Sequence, residues 1–367
     1  MLDTASRIRV SRYRRKVNGQ APSPAHRTRA LYIVYRTVEQ GYHSAAHRRA
    51  PPRNYYEARR PFLPGAMTVS LGLLRLTRAQ RTPYAMRMRI SFSTGTFYHR
   101  PLAYSLQLAR ALGFDGVEYV VGPDYFLSGV EPLRKAIDQY ATPVLSIHPP
   151  FHLLTTLPVT NWPRQGGWAW PRTTALGREL GATLAVTHTV FLAGPHVPRM
   201  ARYQAALRMG LEAGGSLILT IESNQYNRRG KRFLLDDLQR LVDFAQEQDC
   251  GVTLDTSHAG ANGEDLLECY EIVRPALRNI HLSDVVRRSG HPRTHVLPAE
   301  GELPLREFLS LLAADSYDGL VTLEIHPRYI GLMSSARAKR RMGQALAFVR
   351  ASIASEATPT TEVHVEG

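Results

Sequence analysis

From Met88 onward the chain repeats one two-part unit, a short apolar run followed by a stretch with helical apolar spacing. The runs MRISFST, GVEYVV, VLSIHPP, LAVTHTV, LILTIES, GVTLDTS, RNIHLSD and LVTLEIH open eight such units. Runs of Val, Ile, Leu and Thr this short fit strands buried on both faces, as a parallel sheet requires, although periodicity alone does not separate them from buried helix. The intervening stretches have one apolar face, as Leu235, Leu238, Leu241, Val242, Phe244 and Ala245 do, and so pack against a sheet. Eight units in roughly 265 residues match the ~250 of a closed barrel. An open, doubly wound sheet could use the same alternation, but no Gly-rich GxGxxG turn follows the first run. The expected fold is α/β, a single (β/α)8 TIM barrel over residues 88–354.

Six of these runs end in ionisable side chains: His148, His188, Glu222, Asp255 with His258 just beyond, His281 and Glu324. Taken singly, a strand histidine is commonly a hydrogen-bonded core residue, and a strand-end carboxylate commonly caps the next helix. Taken together they change meaning, because a barrel carries the ends of its strands to one mouth. Buried carboxylates and imidazoles gathered there need partners or a cation. A divalent metal is therefore the expected cofactor. Imidazole and carboxylate without thiolate suit Mn, Co, Mg or Zn, with Fe also compatible, and residue type does not choose among them. His258 either binds metal or meets a substrate hydroxyl. Asp284, in HLSD, either orients His281 or caps the following segment.

The net charge of +15 on 367 residues suggests nucleic acid until it is located. Residues 1–85 hold 17 Lys+Arg against 3 Asp+Glu, leaving 29 basic and 28 acidic residues for the remainder. The barrel region thus lacks the basic footprint of phosphate-backbone binding. The segment 1–87 is expected to be disordered, with three readings: an arm for nucleic acid or an anionic surface, an organelle transit peptide, or translation from a start codon placed too early. The last is favoured, because the ordered pattern begins abruptly after Met86 and Met88. Two cysteines, Cys250 and Cys269, make no disulfide framework and read as reduced thiols of a cytoplasmic protein. No apolar run approaches the roughly 18 residues of a membrane span. Residues 355–367 read as a flexible tail. A long connection after the third run carries Trp162, Trp168 and Trp170, as pocket lining or as an apolar rim.

GVTLDTSHAGANGED, RNIHLSD, THVLPAEGELPLREFL and LVTLEIH resemble, in combination, the xylose-isomerase-like barrel superfamily, over about residues 88–350. That superfamily includes sugar isomerases, ketose 3-epimerases and AP endonucleases of the endonuclease IV type. The resemblance implies a four-ligand metal site of Glu222, Asp255, His281 and Glu324. In the epimerase branch Glu222 and Glu324 also move a proton at a substrate carbon through an enediol-like intermediate, and His258 contacts a hydroxyl. Glu118, within GVEYVV, matches a glutamate that supports the pocket. It is grouped with Phe151 of SIHPPF and Arg293 as a substrate-binding candidate.

The endonuclease branch implies additional ligands, and His148, His188, His258 and His295 match them. Its third metal site also needs an aspartate two residues before His295, where this chain has Arg293. A guanidinium does not ligate a cation and repels one. Arg287, Arg288 and Arg293 form a local basic patch, either for a substrate or DNA phosphate or as a solvated loop. The leading expectation is a metal-dependent isomerase or epimerase acting on a small sugar or sugar phosphate. The alternatives are an AP endonuclease, with DNA as partner, and a non-catalytic metabolite-binding barrel.

Overall fold

The computed structural model describes residues 88–151, 166–189, 196–225, 235, 237–287, 292–331 and 334–354. The basic extension, Trp162, Arg288 and the tail lie outside them. Eight parallel strands close into a barrel in the order β1-β10-β7-β6-β5-β4-β3-β2. They are β1 (Arg89–Ser93), β2 (Gly116–Val120), β3 (Val144–His148), β4 (Leu184–His188), β5 (Ile218–Glu222), β6 (Gly251–Asp255), β7 (Leu277–Leu282) and β10 (Leu320–Leu323). The expected barrel is thus the observed one. The remaining strands, β8 (Asp284–Val286) and β9 (Arg293–Val296), pair antiparallel as a hairpin after β7.

Side chains alternate across each strand, and both faces are buried, so the two sets separate by chemistry. Outward-facing Ile90, Phe92, Val117, Tyr119, Ile147, Ile221, Leu254, Ile280, Val321 and Leu323 form one apolar core with helix residues such as Leu106, Ala109, Leu207, Leu241 and Phe308. Inward-facing residues are largely polar and hydrogen-bond to each other. Ser91 Oγ lies 2.9 Å from Thr322 Oγ1, Thr322 Oγ1 donates to Asn279 Oδ1 at 3.1 Å, and Thr220 Oγ1 lies 2.7 Å from Thr253 Oγ1. The inward set ends, strand by strand, in the ionisable residues at the mouth. Register aligns them: Val120 pairs with His148, His188 with Glu222, and Asp255 with His281. Glu324, one residue past β10, donates its N–H to the Leu282 carbonyl at 3.2 Å.

Local chemistry sets where the helices begin. Asp237 and Asp265 cap the helices Leu238–Glu247 and Leu266–Val273 by accepting backbone N–H groups. Asp255 does the same for the helix Thr256–Asn262, accepting from His258 N at 2.9 Å. His258 therefore sits in the first turn of this helix. The long connection after β3 is partly helical: Gly166–Glu179 is a helix that carries Trp168 and Trp170. Trp170 is buried in the core, edge-on to Tyr203 at 4.9 Å between ring centres, so it is neither pocket lining nor rim. No described helix is long and apolar enough to cross a membrane.

Candidate metal centre

Among the described residues, three groups of side chains that could hold a metal meet at the mouth: Glu222, Asp255, His281 and Glu324; His148, His188 and Glu222; and Asp255, His258 and His295. Within each group one donor atom per residue lies within 4.8 Å of the others. Glu222 belongs to the first two groups and Asp255 to the first and third, so the groups form one continuous cluster. Glu222, Asp255 and His281 are buried, while Glu324 is 19% exposed at its side chain.

The first group has its donors converging. His281 Nδ1 lies 2.9 Å from Glu324 Oε2 and 3.5 Å from Glu222 Oε1. Neither contact is aligned as a hydrogen bond, and His281 Nδ1, Glu222 Oε2 and Asp255 Oδ2 are all buried with charge contacts but no aligned hydrogen bond. Atoms close together but not aimed at one another are the arrangement of ligands aimed at a shared ion. Tetrahedral donors ~2.1 Å from a cation stand about 3.4 Å apart, similar to the spacing here. The two oxygens of Asp255 divide the work: Oδ1 accepts from His258 N and from Ser257 Oγ, both at 2.9 Å, and Oδ2 is left for the cluster. These residues fit a divalent cation.

In the second group, His148 Nδ1 donates to the Pro149 carbonyl at 2.7 Å, because a carbonyl only accepts. That leaves Nε2 as its ligand atom, 3.3 Å from His188 Nε2, which is itself 2.8 Å from Glu222 Oε2. In the third group, His258 Nδ1 donates to the Ser223 carbonyl at 2.9 Å and lies 3.5 Å from both Glu222 Oε1 and Asp255 Oδ2. His295 is looser. Its Nδ1 is 4.0 Å from Asp255 Oδ2 and 3.4 Å from both Ser257 Oγ and Ser283 Oγ. It has a left-handed backbone, φ 54°, uncommon outside glycine, and its carbonyl accepts the His326 N–H at 2.9 Å.

Without a cation the imidazoles and carboxylates hold each other's charge. Burial disfavours charge on His281, yet Glu118, Glu324 and Glu222 around it raise its pKa well above the usual value. Burial likewise opposes the ionised form of Glu324, but neighbouring His281 brings it down to about 2. Glu222 is held well below the carboxylate range, the burial penalty being outweighed by His188 and His281. His188 and His258 are raised in spite of burial, mainly by Glu222 and by Asp255 respectively. His148 is lowered, by burial and then by His188.

The remaining candidates lie around this cluster. Phe151 is half-buried near the mouth, edge-on to Tyr98 at 6.0 Å and 6.2 Å from the His148 ring. Arg293 is exposed on β9. Glu118, expected among the substrate contacts, is fully buried inside the barrel and accepts from Ser146 Oγ and His281 Nε2. Asp284 takes the capping role, accepting from the N–H groups of Val285, Gly301 and Leu303. Ser146 and Ser223 hold site residues in place and were not legible as such in the sequence. The available signal was spacing: Ser146 stands two residues before His148 on the same strand face.

An uncharacterized protein of Mycobacterium tuberculosis is 27% identical over 265 residues, covering 65% of this chain and 89% of its own. Fructoselysine 3-epimerase of Escherichia coli O157:H7 is 21% identical over 246 residues, covering 63% of this chain and 87% of its own. Among solved structures, the 3-keto-D-glucoside 4-epimerase YcjR of E. coli superposes with a TM-score of 0.55 at 18% identity, over 72% of this chain and all of that one. An AP endonuclease, family 2, from Brucella melitensis superposes equally well, 0.55 at 17% identity, over 71% of this chain and 98% of that one. At these identities the superpositions show the fold alone. The family described as xylose isomerase-like TIM barrel matches residues 106–352, and the chain belongs to that family.

Proposed function

We propose that the protein is a divalent-metal-dependent isomerase or epimerase of a small sugar or sugar derivative. The observation that carries this reading is the four-residue group in which three buried ligand atoms make no aligned hydrogen bond and two glutamates flank one histidine. Glu222, Asp255, His281 and Glu324 would hold the cation. When bound, it supplies a Lewis acid that polarises a carbonyl and stabilises the negative charge that develops beside it. Glu222 and Glu324 then serve as base and acid, one removing the proton at the carbon next to the carbonyl and the other returning one. Their settings differ: Glu222 is almost fully enclosed, whereas Glu324 is partly open to the mouth. His258, its ring fixed by the Ser223 carbonyl, keeps Nε2 for a substrate hydroxyl. Phe151 supplies an apolar wall near the mouth. The relationship to fructoselysine 3-epimerase and the near-neutral charge of the barrel support a small substrate.

A second reading rests on one specific feature, the group His148, His188 and Glu222, which shares Glu222 with the first. Two cations sharing Glu222 would suit phosphodiester hydrolysis. One experiment separates the two readings. The purified protein is analysed for bound metal, then offered a panel of ketoses and a duplex with an abasic site. Metal-dependent sugar turnover without incision is expected, and Glu222→Gln should lower turnover about 10²–10⁴-fold. Incision of the duplex without sugar turnover would reverse the assignment.

A further inference from the structure

We infer that Glu118 is a positioning residue for the metal site, holding His281 so that Nδ1 faces Glu222 and Glu324; this rests on the metal reading proposed above. Glu118 on β2 and His281 on β7 are not neighbours in the sheet, so their contact crosses the barrel interior. Both are fully buried. Glu118 Oε2 accepts from Ser146 Oγ at 3.0 Å and meets His281 Nε2 at 3.2 Å. The oxygen that accepts the Ser146 hydroxyl also faces Nε2, so Nε2 is the donor of that contact. The other ring nitrogen, Nδ1, is the one left facing the cluster, 2.9 Å from Glu324 Oε2.

A ring turned over about its Cβ–Cγ bond would put Nδ1 elsewhere and break the Nε2 contact. Glu118 opposes that turn from below, and Ser146 fixes the oxygen that does so. A carboxylate behind a ligating imidazole both sets its tautomer and strengthens it as a ligand. The same geometry gives a role to a glutamate that is fully buried inside the barrel. It acts through His281.

The test uses the full-length protein loaded with Co²⁺, because a cobalt-bound imidazole shows its N–H proton as a shifted, solvent-exchangeable NMR resonance. Wild type should show such a resonance for His281, identified by its loss in His281→Gln. Glu118→Ala should lose it and bind Co²⁺ about 10–100-fold more weakly in chelator competition. Glu118→Gln, which keeps an acceptor oxygen, should retain the resonance and most of the affinity. Should Glu118→Ala fail to fold, Ser146→Ala carries the test: loss of the hydroxyl donor should speed exchange of the His281 N–H while Co²⁺ stays bound. Wild-type affinity together with a protected resonance in Glu118→Ala, or unchanged exchange in Ser146→Ala, overturns the inference. A wild-type protein that binds no Co²⁺ overturns the metal reading itself, an outcome distinct from either.

Discussion

Asp255 combines two functions in one side chain, and substitutions can separate them. Oδ1 caps the helix that carries His258, and Oδ2 lies in the cluster without an aligned hydrogen bond. Asp255→Asn keeps a carbonyl oxygen for the cap and removes the charge, so metal occupancy should drop sharply while thermal stability changes little. Asp255→Ala should lose the cap as well, costing about 1 kcal/mol more; equal stability of the two variants, read by denaturant unfolding, would count against the division. The site also links stability to pH in the metal-free protein. His281 is raised above its ordinary 6.5, so its contribution is complete below that pH and is lost as pH rises through the higher folded value. Glu324 is lowered from 4.5 to about 2, so its contribution is complete above 4.5 and is lost as pH falls toward 2. Calorimetry of metal-free wild type against His281→Asn should show the largest stability difference between pH 4.5 and 6.5. A difference that keeps growing above pH 6.5 would contradict the assignment of His281.

At the scale of elements, the site depends on a helix and a hairpin packing without space between them. A Cβ at Gly260, in the helix Thr256–Asn262, would stand 2.6 Å from Val285 Cγ1 on β8 and 2.7 Å from Leu303 Cδ2. Gly260→Ala forces Val285 and Leu303 to give way, which overpacking of this kind penalises by about 1–3 kcal/mol. It should also loosen His295 against Asp255, lowering affinity for any cation held there. A loss below about 0.5 kcal/mol in urea unfolding would show that the hairpin yields freely. The sequence reveals these elements unevenly. The barrel strands are legible because each is a buried apolar run long enough to stand out, and their polar ends mark the site. The hairpin is not, because DVV and RTHV are too short and too polar to show a strand pattern. Trp170 misleads for a different reason: its loop-like, Pro-rich neighbourhood hides a helix whose packing partner, Tyr203, lies far along the chain.

For the molecule as a whole, closure is the property on which the site rests, since seven strands in an open sheet would not bring β2 and β7 face to face. The strand that closes the ring is the first. Residues Arg89 to Phe92 pair with Leu320 to Leu323 on one side, and Ser91 to Ser93 pair with Gly116 to Glu118 on the other. It also fills the core with Ile90 and Phe92, the latter edge-on to Phe97 and Phe114 at 5.8 and 5.0 Å. The family match begins at residue 106, after this strand and inside the helix Leu102–Leu112. A chain beginning at Met88 should therefore melt cooperatively and bind metal as the full protein does, whereas one beginning at Leu102 should do neither. Removing β1 exposes the edges of both neighbours and leaves a cavity where two large side chains were, each of which alone is worth about 2–5 kcal/mol. Differential scanning calorimetry with metal analysis of the two truncations decides the matter, and a cooperative transition in the shorter chain would mean that β10 and β2 can close on each other without it.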